Sequence, residues 1–292
     1  MLLVHAHPDD ESITTGATMA YYAAQGVRIT LITCTLGEEG EIIVPELGQL
    51  QSAQADQLGG LRIGELERAM RALGVTDHRF LGGAGHFRDS GMMGSPANEH
   101  PRAFWRADSD PDVFAAAVRA AVEIVCEVRP HVVVTYDDNG DYGHPDHIMA
   151  HRVATAATEA AAAIDDGVTA PWTVAKLYWT ATPTSVLERG FEGLRDQVAP
   201  AFAGAAVEDL PFGVADEIVT TAVDARGFVR AKTAALAAHR TQVVVDGPFF
   251  ALSNLLGREI TGTEYFRLVQ SAPGDDRDAG GRERDLFAGI TL

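Results

Sequence analysis

The chain has 292 residues, 46% of them hydrophobic, and its 41 acidic residues against 23 Lys and Arg give a formal net charge of −18. The length and the hydrophobic content are sufficient for a sizeable core, either in one large α/β domain or in a domain with an elaboration. The charge disfavours nucleic acid and anionic lipid as partners and favours a small neutral or cationic ligand. The composition does not determine an oligomeric state.

Two cysteines, Cys34 and Cys126, lie among apolar neighbours, which is typical of buried thiols in a reducing compartment. The first residues lack the basic region of a signal peptide, and no stretch approaches ~18 uninterrupted apolar residues. We therefore expect a cytoplasmic protein with neither a secretion signal nor a membrane span.

Four short apolar runs, at residues 2–6, 28–34, 78–81 and 131–136, predict strands that are buried in a parallel sheet. Apolar residues at helical spacing lie between them and end before Gly74 and Pro130, which are helix stop signals. Alternation of this kind implies right-handed crossovers and a doubly wound, mostly parallel α/β sheet. This core is predicted to cover residues 1–170.

The alternation weakens in the second part of the chain. Residues 176–181 and 216–223 predict strands and residues 228–242 a helix, but the connections are long and rich in Pro and Gly. We expect residues 171–292 to form an elaboration that packs on the core. The charged, Gly-rich segment 272–285 predicts a mobile or surface-laid tail.

A His-Pro-Asp motif occurs twice, at residues 7–10 and 144–147, each time directly after a predicted strand. Ligands of open α/β sheets bind at the carboxyl ends of the strands, so the two motifs are expected to meet in one crevice. The first motif lacks a G-x-G-x-x-G pattern, and its acidic residues would repel a pyrophosphate. A dinucleotide site is therefore disfavoured.

Imidazole and carboxylate groups are suitable ligands for Zn²⁺, and a catalytic zinc site has three protein ligands and one open position. Such an ion lowers the pKa of bound water from ~15.7 towards ~7 and polarises a carbonyl group. Two His and one Asp from the two motifs would complete the set, which Fe²⁺ also accepts. Each motif alone is also typical of a helix N-terminus, with Pro and acids in the first turn. The duplication favours a shared metal site.

The stretches HAHPDDE and YGHPDH together resemble the PIG-L/LmbE family of zinc-dependent N-deacetylases. The resemblance implies a Rossmann-like core and the hydrolysis of a linear amide. Further stretches, among them TCTLGEEGE and KTAALAAHRTQVVV, resemble the family members of mycothiol biosynthesis. This implies removal of the N-acetyl group from 1D-myo-inositol 2-acetamido-2-deoxy-α-D-glucopyranoside. A mycothiol S-conjugate amidase of the same family is the alternative.

The resemblance also implies roles for the motif residues. His7, Asp10 and His147 match the zinc ligands, with one ion per chain, and Asp9 matches the general base. His144 matches a group that assists the tetrahedral intermediate, and Asp146 matches the carboxylate that orients this group. Tyr142 matches a mobile tyrosine beside the substrate carbonyl. For Asp9 the alternative is a helix cap, and for Tyr142 a loop aromatic.

Substrate contacts follow from the same resemblance. It implies polar and charged groups around the sugar and inositol and a residue bordering the acetyl pocket. The residues around the sugar and inositol are the polar or charged Thr14, Glu41, Arg62 and Asp89, with the apolar Met92 beside them, and the residue at the acetyl pocket is Gln242. For Arg62 an exposed basic helix face with Arg68 and Arg71 is the alternative. The long aperiodic stretch 82–108 is predicted to fold over the crevice and to hold Asp89 near the substrate.

Two further classes of function are less compatible with the motifs. A metal-dependent phosphoesterase needs a second metal and basic phosphate clamps, whereas acids outnumber bases in the two motif loops. A structural metal would have its fourth position closed by Cys or His, and neither cysteine stands beside a motif.

Overall fold

The computed structural model describes residues 1–197, 201–205, 207 and 210–291. Within these ranges the central sheet consists of β1 (Leu2–His5), β2 (Thr30–Thr33), β3 (Asp77–Phe80), β4 (Val132–Thr135), β5 (Lys176–Ala181), β6 (Thr221–Asp224) and β10 (Thr263–Gln270). The order across the sheet is β3-β2-β1-β4-β5-β10-β6. β1 to β5 run parallel to one another, and β10 runs antiparallel to β5 and β6.

The helices are α1 (Asp10–Thr14), α2 (Gly16–Ala24), α3 (Leu58–Leu73), α4 (Pro111–Val128), α5 (Gly140–Gly143), α6 (Pro145–Ala163), α7 (Thr184–Arg195) and α8 (Val229–Ala238). Local sequence explains several of their ends. Gly74 terminates α3 with φ 74°, and the Asp110 side chain caps α4 by accepting from the Asp112 backbone N–H. No helix in the described ranges is long and apolar enough to cross a bilayer.

Both faces of the sheet are covered, as a doubly wound fold requires. Leu3 and Leu31 lie in the core beneath α2, α3 and α8, whereas Val4, Ile32 and Val133 point to the opposite core, which is filled by α4 and α6. Successive side chains of a strand alternate between faces, so a continuous apolar run fits only a strand that is buried on both sides. The predicted mostly parallel α/β sheet is confirmed.

The chain reverses its direction of travel across the sheet at β1. From β1 it proceeds to β2 and β3 on one side and then returns to β4 on the other. β4 pairs with β1 through Leu2 with Val133 and Leu3 with Val134. The prediction that the two motif-bearing strands are neighbours is therefore confirmed, and the crevice beyond their carboxyl ends is the topological switch point.

The second part of the chain adds to the same sheet and forms a smaller one. The β5 bounds agree with the prediction, but the predicted strand 216–223 is wrong in its first part, where Asp216–Ile218 forms a 3₁₀ turn. The smaller antiparallel sheet consists of β7 (Val244–Asp246), β8 (Phe249–Ala251) and β9 (Arg258–Glu259), with α7 packed beside it. The division of the chain at residue 170 stays a prediction.

The tail was expected to be mobile or surface-laid, and this is wrong at Glu283, which is 0% exposed. Its carboxylate accepts hydrogen bonds from Lys176 Nζ at 2.6 Å, Tyr178 OH at 3.0 Å and Thr221 Oγ1 at 3.0 Å. Burial raises the pKa of Glu283, but Lys176 and the other donors bring it below the usual carboxyl value. The tail is thus attached to β5 and β6 by a buried ion pair, which the local composition does not reveal.

Replacing Glu283 with Gln should lower the free energy of unfolding by about 3 kcal/mol at pH 7, because Lys176 would keep a buried charge without its partner. Since the folded-state pKa of Glu283 is lowered, the parent should lose this advantage as the pH falls through that lowered value. Urea unfolding of both proteins at pH 7 and in the acid range measures the difference.

Asp224→Asn is the matched control, because it breaks an ion pair with Arg226 in which the two side chains are 56% and 75% exposed. This change should affect the unfolding free energy far less, since exposed pairs are screened by solvent. Equal effects of the two substitutions would contradict the importance of the buried tail contact.

Candidate active site

The loops after β1 and β4 bring the two His-Pro-Asp motifs together. His7 follows β1, and His144 and His147 lie at the start of α6. The His7 ring centroid is 4.6 Å from that of His144 and 5.2 Å from that of His147. The predicted convergence of the motifs is confirmed.

Three donor atoms form a nearly equilateral triangle in this cluster. His7 Nδ1 is 3.3 Å from Asp10 Oδ2, His147 Nε2 is 3.4 Å from the same oxygen, and the two nitrogens are 3.3 Å apart. In a tetrahedral zinc site with bonds of about 2.0–2.1 Å, neighbouring donors are roughly 3.3–3.4 Å apart. The residues present therefore fit a tetrahedral divalent ion with one position open.

The charge around His7 also suits a cation. Burial lowers the pKa of His7, but Asp89, Asp10 and Asp146 raise it well above its usual value. His7 Nε2 lies 3.3 Å from Asp146 Oδ2 and 3.5 Å from Asp89 Oδ1. A pocket that draws a proton onto a buried imidazole in this way stabilises positive charge at that point.

Other donor groups overlap with this triangle. His7, His144 and His147 form one group, and His7, Asp89 and Asp146 form another, each with donor atoms within 4.8 Å of one another. Both share His7 and both are buried. The triangle with Asp10 matches the tetrahedral spacing in every pair, which favours it as the ligand set.

Tyr136 supports two corners of the triangle, a role that the sequence did not reveal. Its hydroxyl donates to Asp10 Oδ2 at 2.8 Å, and its ring stacks on His147 with centroids 4.2 Å apart. Asp10 Oδ2 also accepts the His7 backbone N–H at 2.8 Å. Tyr136 is fully buried directly after β4, so both contacts are fixed by the core.

Asp9 precedes α1 but does not cap it, because its side chain makes no cap hydrogen bond. Asp9 Oδ2 instead lies 3.1 Å from Arg62 Nη2, and the residue lines the central cavity. Burial raises the pKa of Asp9 to about 7, although Arg62 opposes this shift. The contact with Arg62 and the position in the cavity wall therefore do not fit the alternative of a helix cap.

His144 caps α6, since its Nδ1 accepts the Asp146 backbone N–H at 3.1 Å. Burial, together with the neighbouring His7 and His147, lowers the pKa of His144 to about 2. A neutral imidazole that accepts at Nδ1 carries its proton on Nε2, as assigned from this hydrogen bond. His144 therefore offers an N–H donor in the cavity that it lines.

Asp146 does not orient His144 through its carboxylate, which corrects the role expected from the sequence. Asp146 Oδ2 contacts His7 Nε2 at 3.3 Å and accepts the Ser90 backbone N–H at 2.9 Å. The orientation of His144 comes from the Asp146 main chain, because the helix start places this N–H against the imidazole. Asp146 is fully buried and holds His7 in place.

Tyr142 lies beside the two histidines of the second motif. Its ring centroid is 5.0 Å from that of His147 and 6.0 Å from that of His144. The adjacent Asp141 has φ 62° within the single turn α5, and this turn brings the tyrosine to the cavity wall.

All six residues expected to contact substrate line one cavity of about 560 Å³, together with His7, Asp9, Asp10, His144 and His147. Arg62 is 2% exposed and donates to Gly37 O at 2.8 Å and to Pro8 O, so the alternative of an exposed basic face is wrong. Asp89 is buried and accepts the Glu39 backbone N–H at 3.1 Å, which fixes it beside His7. The stretch 82–108 thus delivers Asp89 to the crevice as expected.

The remaining four residues differ in exposure. Met92 is 53% exposed and Glu41 is also exposed, so both lie at the rim, whereas Gln242 is 7% exposed. Thr14 is half-buried, and its hydroxyl donates to the Asp10 carbonyl oxygen at 2.9 Å.

The sequence did not predict the wall that the second part of the chain contributes. This wall includes residues 210–214, residues 252–254 and Arg258. Asp137 and Asp141, from the loop after β4, also line the cavity and were not predicted. The Arg258 guanidinium lies 4.7 Å from the Phe212 ring centroid, a contact between distant segments. Only Asp137 and Asp141 carried a local signal, because they stand between a strand end and the second motif.

Residues 2–158 match the model of the PIG-L family, described as GlcNAc-PI de-N-acetylase. The chain belongs to the PIG-L family. This family consists of metal-dependent deacetylases that hydrolyse N-acetyl amide bonds, and the His and Asp groups described above could hold the metal. The PIG-L assignment agrees with the resemblance seen in the two motifs.

Two relatives of this PIG-L chain extend the similarity over its full length. One from Geodermatophilus obscurus is 60% identical, with 99% of this chain and 97% of the relative covered. One from Acidothermus cellulolyticus is 58% identical, with 100% and 95% covered. Both are named 1D-myo-inositol 2-acetamido-2-deoxy-alpha-D-glucopyranoside deacetylase.

The PIG-L fold is also seen in a solved structure. The N,N'-diacetylchitobiose deacetylase from Pyrococcus horikoshii is 17% identical, with a TM-score of 0.58 and coverage of 92% of this chain and 82% of that chain. At this identity the likeness concerns the fold alone.

Replacing His147 with Ala should remove the bound divalent ion, because one corner of the donor triangle is lost. His151→Ala is the matched control, since His151 lies one turn further along α6, is 8% exposed and contacts only the Tyr136 carbonyl oxygen among the described hydrogen bonds. Elemental analysis of both purified variants decides the point. A full equivalent of metal in His147→Ala would rule out this ligand set.

Proposed function

We propose that the chain is a zinc-dependent N-deacetylase that releases acetate from 1D-myo-inositol 2-acetamido-2-deoxy-α-D-glucopyranoside in mycothiol biosynthesis. The observation that carries the proposal is the similarity, at 60% identity over 99% of the chain, to a relative named for this reaction. The donor triangle and the cavity beside it supply a site of the required kind.

In this proposal His7, Asp10 and His147 hold one Zn²⁺ per chain. When bound there, the ion would supply Lewis acidity for the acetyl carbonyl and for water. Two imidazoles and one carboxylate are suitable for zinc, and Fe²⁺ accepts the same set. Metal analysis of protein from its native cell distinguishes the two ions.

Asp9 acts as the general base and takes a proton from the attacking water. Its carboxylate lines the cavity, and its pKa of about 7 is close to the pH at which a base both accepts and releases protons efficiently. Arg62 pairs with Asp9 Oδ2 at 3.1 Å, which restricts the rotation of the carboxylate.

His144 stabilises the negative charge that develops on the acetyl oxygen, because its neutral ring presents Nε2–H to the cavity. The Tyr142 ring centroid lies 6.0 Å from that of His144, and Tyr142 assists His144 in stabilising this charge. Asp146 acts by holding His7 through the 3.3 Å contact to its Nε2.

The fixed polar groups of the cavity select a hydroxyl-rich ligand. In the proposal the buried Arg62 and Asp89 and the rim residues Glu41 and Met92 surround the sugar and inositol, and Thr14 lies near the ring. Gln242 borders the acetyl pocket. A cavity of about 560 Å³ is within the range of small-molecule sites. The net charge of −18 favours an uncharged ligand over nucleic acid or anionic lipid. The proposed reaction takes place in the cytoplasm.

The substrate assignment can be tested by supplying metal-loaded protein with the acetylated pseudodisaccharide and, separately, with a mycothiol S-conjugate. The kcat/KM for release of amine should be at least roughly tenfold higher with the acetylated pseudodisaccharide than with the S-conjugate. A difference of about 1.4 kcal/mol between the two transition states is enough for this ratio. The opposite preference would assign the chain as the amidase of the same family.

Asp9→Ala should lower kcat by about 10²- to 10⁴-fold on the N-acetyl substrate while KM changes little, because the lost proton acceptor acts in the transition state. Metal content should stay at one equivalent. Steady-state kinetics combined with elemental analysis separate a loss of chemistry from a loss of metal.

Asp138→Ala is the control for this change, because Asp138 is an exposed carboxylate on the loop after β4. Its kcat should equal that of the parent. A metal-replete Asp9→Ala variant with near-parental kcat would show that Asp9 is not the base.

A further inference from the structure

The backbone of Asp9 is in a conformation that residues other than glycine rarely adopt, with φ 128° and ψ −31°. Strain of this kind persists only where surrounding bonds hold it, and it clusters at active sites. The Asp9 backbone N–H donates to Glu11 Oε2 at 3.0 Å. Glu11 therefore holds the main chain of the residue proposed as the general base.

The Glu11 carboxylate is itself held by two further groups. Its Oε1 accepts from Ser12 Oγ at 2.6 Å and is 2.8 Å from His239 Nε2. Glu11 and His239 are both 0% exposed. Neither lies among the described residues that line the cavity, so neither can contact a substrate there.

His239 reaches Glu11 from a distant part of the chain, directly after α8. The same helix supports a second buried carboxylate, Glu264, which pairs with Lys232 Nζ at 2.8 Å. Glu264 accepts the backbone N–H groups of Ala17 and Thr18, so it supports the start of α2 and not Asp9. The Glu11–His239 and Glu264–Lys232 pairs are both buried, but the first holds the backbone of Asp9 and the second holds the start of α2.

We propose that Glu11 and His239 form a positioning pair, which fixes the strained backbone of Asp9 and so aims its carboxylate at the reacting water. The inference rests on the proposed role of Asp9 as general base. His239 keeps the Glu11 carboxylate in place, and Glu11 transmits this order to Asp9 through one hydrogen bond. The part of the chain beyond residue 158 thereby supports the chemistry of the first motif.

The test is a double-mutant cycle between Glu11→Met and Asp9→Ala, measured as kcat on the N-acetyl substrate with metal-loaded protein. Met has a similar length and removes the acceptor. In the parent, Glu11→Met should lower kcat roughly 10²-fold with little change in KM and with metal retained, because a misplaced catalytic group can cost this much. In the Asp9→Ala background the same change should cost less than about twofold, since the group that it positions is absent.

A second variant keeps the test available if Glu11→Met does not fold. Glu11→Gln retains the side-chain shape and a neutral acceptor for the Asp9 N–H, so this variant should fold. It should lower kcat only severalfold in the parent, and it should not lower kcat in the Asp9→Ala background. His239→Gln, which retains an N–H donor, should likewise preserve most of kcat.

Glu264→Gln is the matched control. It should lower the melting temperature, because Lys232 loses its buried partner, and it should leave kcat unchanged. Equal loss of kcat from Glu11→Met in both backgrounds, or loss of metal from that variant, would overturn the positioning role. Full kcat in Asp9→Ala alone would instead overturn the proposed base, so the two failures are distinguishable.

Discussion

The parallel pairing of β1 with β4 is the constraint on which the site depends. Both strands end at the same edge of the sheet, and the chain reverses its order there, so the loops that follow them leave a crevice. His7 from one loop and His147 from the other are thereby 3.3 Å apart between ring nitrogens, although 140 residues separate them. Neither loop holds this donor set alone.

Burial of charge is the second determinant of the site, and three of its buried ionisable groups have partners of opposite charge. Asp9 pairs with Arg62, Glu11 with His239, and His7 with three carboxylates. Moving an ion from water into the protein interior costs roughly several kcal/mol of free energy unless partner groups compensate for it. The polar groups are consequently fixed before substrate arrives, which is the condition for electrostatic stabilisation of a transition state.

The sequence predicted those parts of the site that local patterns encode. Strand ends and a repeated motif placed His7 and His147 in one crevice, because parallel strands leave no other arrangement for neighbouring carboxyl ends. Tyr136 and Glu283 were missed, since an apolar run or a charged tail does not tell which distant group its side chain meets. For Asp146 the resemblance implied an orienting carboxylate, but it did not show that this carboxylate contacts His7 while the backbone N–H of the same residue contacts His144.

The division of labour between the two parts of the chain follows from the same contacts. The proposed metal ligands and proton-transfer groups all lie within residues 2–158, the range that matches the family model. Residues 210–214, residues 252–254 and Arg258 line the same cavity. Since loops carried on a fixed scaffold can change without altering the chemistry, substrate choice can vary through these residues. His239 limits that freedom, because the segment that contains it also holds Glu11 beneath the proposed base.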